Sequence, residues 1–151
     1  MSIKIPPIEK IHEAYSAVVD ERVELRDGEA EVSSSDFTKK YLVTWKDDVY
    51  TSNDNASYWQ GSLGYPIIAV LMMQEKLSFD RQIAEHFKGI PWKELNTKYK
   101  NKYSEVVKQI MEEFAKNGVD CNKIDAEIQK VYEEIKQLTI STKRSSSRPP
   151  K

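Results

Sequence analysis

Cysteine is almost missing from this chain of 151 residues: Cys121 stands alone. That excludes an intramolecular disulfide and any cysteine-rich metal site. Placed in a predicted helix–helix turn with no histidine near it in sequence, Cys121 reads as a plain thiol rather than a nucleophile. Histidine is nearly as scarce. His12 and His86 each sit on a predicted helix beside an acid, Glu13 and Glu85. Neither belongs to an H-E-x-x-H pattern or has a serine or cysteine at nucleophile–base spacing, so both are expected at the surface or its boundary. Phosphate-cradling glycine loops are lacking too; Gly61-Ser-Leu-Gly64 precedes a helix but lacks the Lys and Thr/Ser of a P-loop. The longest apolar run, Ile67 to Met73, has seven residues, far below the ~20 a membrane-spanning helix needs. Nor does Met1-Ser-Ile-Lys-Ile-Pro-Pro7 carry an apolar core followed by a small-residue cleavage site. These absences predict a cytoplasmic, non-enzymatic protein with no metal, no cofactor and no membrane association.

The chain has the length of one domain, or of a small domain with a helical extension. It can bury roughly 70% of its unfolded surface without a covalent staple. The formal net charge of −1 conceals an asymmetry. Lys143, Arg144, Arg148 and Lys151 put four positive charges on the last nine residues, which contain no acid, and leave 19 basic against 24 acidic side chains elsewhere. A body of that sign is a poor nucleic-acid surface. The tail, rich in serine, proline and basic residues, reads as disordered.

Periodicity divides the chain. Pro6 and Pro7 precede Ile8, Ile11, Tyr15, Val18 and Val19, a helix with one apolar face ending near Asp20 to Arg22. Asp27-Gly28 then predicts a hairpin turn that sets Val23 opposite Val32 and Leu25 opposite Ala30. The same register places Glu24 against Glu31, tolerable only where both face water. A second hairpin turns at Asp47-Asp48 and pairs Trp45 with Tyr50. Pro66 opens a helix to about Leu77 whose first seven residues after the proline have no polar face, marking it as the central one. Ser78 is the expected N-cap of a short helix to about Lys88. From Pro91 a single long helix is expected to Asn117-Gly118, with Trp92, Leu95, Tyr99, Tyr103, Val106, Ile110 and Phe114 on one arc. Its lysines (Lys93, Lys98, Lys100, Lys102 and Lys108) scatter around the polar side among glutamates and predict a solvated face. A last helix carries Ile124, Ile128, Val131, Ile135 and Leu138; the stripe fits an intrachain helical hairpin or a dimer seam, with the former preferred.

The expected fold is therefore α+β, a small antiparallel meander packed on a buried helix and followed by a C-terminal helical hairpin. Its parts are an N-terminal helix (1–22), a hairpin-and-helix core (23–90), the helical hairpin (91–140) and a basic tail (141–151).

Between the second hairpin and the central helix, Ser52-x-Asp54 and Gly64-x-Pro66 are separated by nine residues. A β-hairpin carrying one pair and a helix start carrying the other resembles the SWIM zinc finger, whose ligands are C-x-C and C-x-H. The resemblance covers roughly 35 residues and all four ligand positions depart from it. Ser52 is a poor ligand, Gly64 and Pro66 have no donor side chain, and a lone Asp54 cannot hold zinc. The resemblance implies a small ββα recognition module for DNA or proteins, here closed without metal by packing of Tyr58, Trp59, Leu63 and Tyr65.

The segment from Ser52 to Tyr65 is thus the candidate binding surface. Asn53, Asn55 and Gln60 offer donors and acceptors, while Tyr58, Trp59 and Tyr65 offer stacking area. The competing expectation puts Trp59 and Tyr65 in the core. The reading is an adaptor or scaffold, a monomer or weak homodimer, that binds a protein partner or nucleic acid through residues 52–65. The alternatives are nucleic-acid binding led by the basic tail and loop aromatics and, last, a small enzyme with an unrecognised site.

Overall fold

Pro6 and Pro7 bring the chain into α1 (Glu9–Val19), whose residues from Ile11 to Val19 are all buried. The computed structural model describes residues 3–151. α1 ends in a Schellman motif: Arg22 N–H donates to the Ala17 carbonyl at 2.9 Å and Glu21 N–H to that of Val18 at 3.1 Å. Glu21 takes the left-handed conformation this requires, with φ 58°.

Four strands follow: β1 (Val23–Arg26), β2 (Glu29–Ser33), β3 (Lys40–Lys46) and β4 (Val49–Ser52). They pair antiparallel in sequence order, with Val23 opposite Val32, Leu25 opposite Ala30 and Trp45 opposite Tyr50, as the turn signals predict. Glu24 does face Glu31. The repulsion is relieved by Arg26, whose guanidinium lies 3.3 Å from Glu24 and 3.8 Å from Glu31, and by Lys40 at 3.4 Å from Glu31. Asp47 and Asp48 both have positive φ, 51° and 64°, so the second turn uses the conformation whose twist matches two-residue hairpins.

The 52–65 segment folds into a short helix, α2 (Asn55–Gln60), before α3 (Tyr65–Met73). Pro66 to Met72 are buried in α3, which packs on α1 and on β1, β3 and β4. α4 (Arg81–His86) is capped by Asp80, whose side chain accepts the Ile83 N–H. Ser78 instead donates its hydroxyl to Glu134 at 2.6 Å.

The single long helix expected after Pro91 is two helices, α5 (Trp92–Lys98) and α6 (Tyr103–Lys116). Another Schellman motif separates them: Asn101 N–H reaches the Asn96 carbonyl at 2.7 Å and Lys100 N–H that of Thr97 at 3.1 Å. Lys100 and Asn101 both have positive φ. No glycine or proline marks this break, so periodicity alone reads through it.

α7 (Cys121–Lys136), with Asp120 as its N-cap, runs back along α6. Its stripe of Ile124, Ile128, Val131 and Ile135 is buried within the chain. Each such aliphatic side chain removed from water contributes about 1.5–3 kcal/mol.

Composition reads residues 141–151 as a disordered tail. In the structure its first two residues form β5 (Ser141–Thr142), parallel to β4. The next ones stay on the body: Lys143 N–H donates to the Tyr50 carbonyl at 3.1 Å, and Ser145 is buried. Local composition does not see the open edge of β4 that receives them. The protein is α+β, and no helix among the described residues is long and apolar enough to cross a membrane.

Candidate functional site

The six candidate residues do not form one surface, because α2 turns them in different directions. Asn53 is buried and structural: its Oδ1 accepts the Leu42 N–H at 2.8 Å, and its Nδ2 donates to the Arg148 carbonyl at 3.1 Å. Trp59, expected in the core, is 63% exposed. A six-residue helix turns only one side to the body, and Trp59 lies on the other. Tyr58 is half-buried against it, with ring centroids 4.7 Å apart, and carries the Arg144 guanidinium at 5.1 Å. Asn55, Gln60 and Tyr65 border a cleft that Asn53, Tyr58 and Trp59 do not line.

The junction between β4 and α3 is tied by hydrogen bonds. The Ser52 hydroxyl donates to Asp54 Oδ1. Asp54 caps α2 by accepting the Ser57 N–H at 3.2 Å, and the Gly64 N–H donates to Ser57 Oγ at 3.3 Å. Ser52, Asp54 and Gly64 therefore converge, while Pro66 lies within the first turn of α3. A Cβ on Gly64 would stand 2.0 Å from Asp54 Oδ2, so only glycine fits against this carboxylate. Among the described residues, no three or more His, Cys, Asp or Glu side chains are grouped so as to hold a metal ion.

The cleft has a volume of about 300 Å³, within the lower range of small-molecule sites. α2 and the start of α3 form one wall; α1, the turn after it, the β2–β3 loop, β3, α5 and the start of α6 line the rest. Its floor holds charges that the sequence analysis did not single out. Glu13 on α1 is 6% exposed and Arg22 is 4% exposed. Lys10 lies 3.8 Å from Glu13 and 4.0 Å above the Tyr103 ring. Asn96 on α5 donates to Glu13 at 3.3 Å, and its Oδ1 is buried without a hydrogen-bond partner.

The Schellman turn that ends α1 sets Arg22 in place. One of its terminal nitrogens donates to the Ser33 carbonyl at 2.7 Å. Its Nε lies 3.6 Å from Asp20, an ion-pair distance too long for a hydrogen bond, and has no hydrogen-bond partner. Tyr65 faces the guanidinium at 6.0 Å and Tyr41 at 6.3 Å, edge to face with the latter.

Burial governs the ionisation of these groups. It pushes the Glu13 carboxyl up, against the opposing pull of Lys10, the Asn96 hydrogen bond and Arg22. It also raises the phenols of Tyr65 and Tyr41. A carboxyl pushed up by burial thus lies among cations in a partly closed cleft, an arrangement suited to binding a charged polar ligand.

Sequence reading missed this floor because α1 has an obvious apolar stripe, and residues off a stripe are assigned to water. In fact α1 is covered on both sides. One signal was present: Ala14, Ser16 and Ala17 are small residues that let a second layer approach. Ser16 accepts the Trp92 indole N–H at 2.7 Å and donates to the Phe87 carbonyl at 2.6 Å. The same covering buries His12, expected near the surface but 4% exposed, edge-on to Phe87. His86 is exposed.

No curated protein and no solved structure matches this chain. One family model matches residues 3–141, which takes in every element except the end of β5 and leaves the basic tail outside. Since that match spans nearly the whole fold, the chain belongs to the family described as Uncharacterised conserved protein UCP014422.

Proposed function

We propose that this protein is a non-enzymatic recognition module that binds a small polar ligand in the cleft beneath the 52–65 segment. The observation that carries the reading is the pair of buried ionisable side chains, Glu13 and Arg22, on the floor of an open cleft. Burying charge is costly unless it is well paired, and Arg22 is held by one carbonyl and a distant Asp20. A bound ligand supplies the missing partners. No histidine or cysteine lines the cleft, which supports binding over nucleophilic catalysis. The convergence of Ser52, Asp54 and Gly64 supports a metal-free, SWIM-like junction as the support for that wall.

A thermal-shift screen of small polar metabolites, run on the wild type and on Arg22→Met, tests the reading. Compounds that stabilise the wild type and not the variant are expected. Equal stabilisation of both proteins, or none of either, contradicts it.

A second reading, a protein-binding adaptor, is favoured by one observation: Trp59 is mostly exposed beside Tyr58, a pairing typical of interface anchors. It predicts that Trp59→Ala abolishes capture of a partner from cell extract while Arg22→Met does not. Capture that survives Trp59→Ala rejects it.

A further inference from the structure

Resting on the cleft-binding reading, we infer that the ligand is a small molecule with a carboxylate on a flat, unsaturated body. The charged groups that face the cleft are Lys10, Glu13, Arg22, Lys39, Asp54 and Lys93. Two of them are occupied by neighbours: Asp54 by Ser52 and the Ser57 N–H, and Lys93 by Asp36 at 3.2 Å. Lys39 reaches the Pro150 carbonyl at 3.4 Å. On the floor this leaves Lys10 and Arg22, the latter 3.6 Å from Asp20, beside one carboxyl, Glu13, which burial pushes up.

A guanidinium with unused donors matches a planar oxyanion in shape as well as sign, which a point charge does not. Arg22 has one terminal nitrogen on Ser33 and its Nε, without a hydrogen bond, 3.6 Å from Asp20. Glu13, whose carboxyl burial pushes up, donates a hydrogen bond to the ligand when protonated. Asn96 Oδ1, buried and unpaired, accepts one from a hydroxyl or amine on the same molecule. Tyr41, Tyr65, Trp92 and Tyr103 supply aromatic walls, favourable for a flat body and indifferent to its charge.

Calorimetric titration with 4-hydroxybenzoate, and with 4-hydroxybenzamide as its neutral isostere, tests this. The carboxylate is expected to bind at least about tenfold more tightly than the amide, and Arg22→Met to weaken it by about tenfold or more. Lys10→Met gives the same direction should Arg22→Met fail to fold. Glu13→Gln, which places a neutral donor at that position, is expected to retain binding. Equal binding of acid and amide overturns the carboxylate assignment and leaves the cleft reading standing. Carboxylate binding that ignores both cation variants overturns the site, as does its loss in Glu13→Gln. If neither compound binds, the assignment falls, and the metabolite screen decides separately whether the cleft binds anything.

Discussion

Glu13 and Trp59 exchanged the places that residue type assigns them, and both exchanges follow from what covers a helix. Glu13 is buried because α5 lies over the second face of α1, where Asn96 donates to it. Trp59 is exposed because α2 turns only one side to the body. Trp59→Ala is therefore expected to change unfolding free energy by less than about 0.5 kcal/mol. Trp92→Ala, which empties a core position and frees the Ser16 hydroxyl, is expected to cost about 3 kcal/mol or more. Urea titration of the two variants checks the contrast. His12 gives a pH test. Desolvation holds its pKa at about 4 against 6.5 in the unfolded chain, although the Ile8 and Glu9 backbone oppose this. The unfolded chain binds more protons between those values, so the His12 contribution is full above pH 6.5 and is lost as pH falls towards 4. The loss amounts to at most about 3 kcal/mol. Glu13, raised by burial, acts with the opposite sign, so the comparison must be with His12→Leu. Wild-type stability should fall relative to that variant on acidification; parallel curves contradict the assignment.

Elements were legible at most local signals, although Asp80 rather than Ser78 caps α4 and the Asp54-capped α2 reads as loop from sequence. Asp27-Gly28 and Asp47-Asp48 fixed both hairpin registers, and an apolar run behind Pro66 marked α3. The break between α5 and α6 was not legible, because Lys100 gives no sign of its left-handed conformation and a lone Asn101 is a weaker stop signal than glycine. β5 was hidden for another reason: a two-residue strand takes its order from the edge of β4, not from its own sequence. Of the candidate site, the wall formed by residues 52–65 was visible, and the floor was not, since it depends on which helix lies over α1. The junction beneath that wall yields a coupling prediction. Gly64→Ala pushes a methyl into the Asp54 carboxylate and should cost about 2 kcal/mol. Asp54→Ala removes the α2 cap and should cost about 1–2 kcal/mol. Because the clash needs both partners, the Gly64→Ala penalty should shrink in the Asp54→Ala background. Strict additivity in a double-mutant cycle argues against the contact.

At the scale of the whole molecule, α3, α4 and the α6–α7 hairpin pack around α1, the sheet packs on α3, and one core runs from Ile11 to Ile140. Apolar packing and the Ser52–Asp54–Ser57–Gly64 hydrogen bonds hold the junction between β4 and α3. The melting temperature should accordingly be the same with and without a strong chelator; a fall on chelation would show that an ion fastens the fold. The tail from Lys143 onward is held by a backbone bond to Tyr50 and by the contact of Arg148 with Asn53. Its removal should leave the amide spectrum of the core intact. The most direct test of the cleft is a titration of the protein with 4-hydroxybenzoate followed by two-dimensional amide NMR. The account predicts shifts that saturate and cluster at Glu13, Arg22, Tyr41, Ala56, Tyr65 and Asn96. Shifts confined to Tyr58, Trp59 and the tail, or spread evenly over the surface, would contradict it.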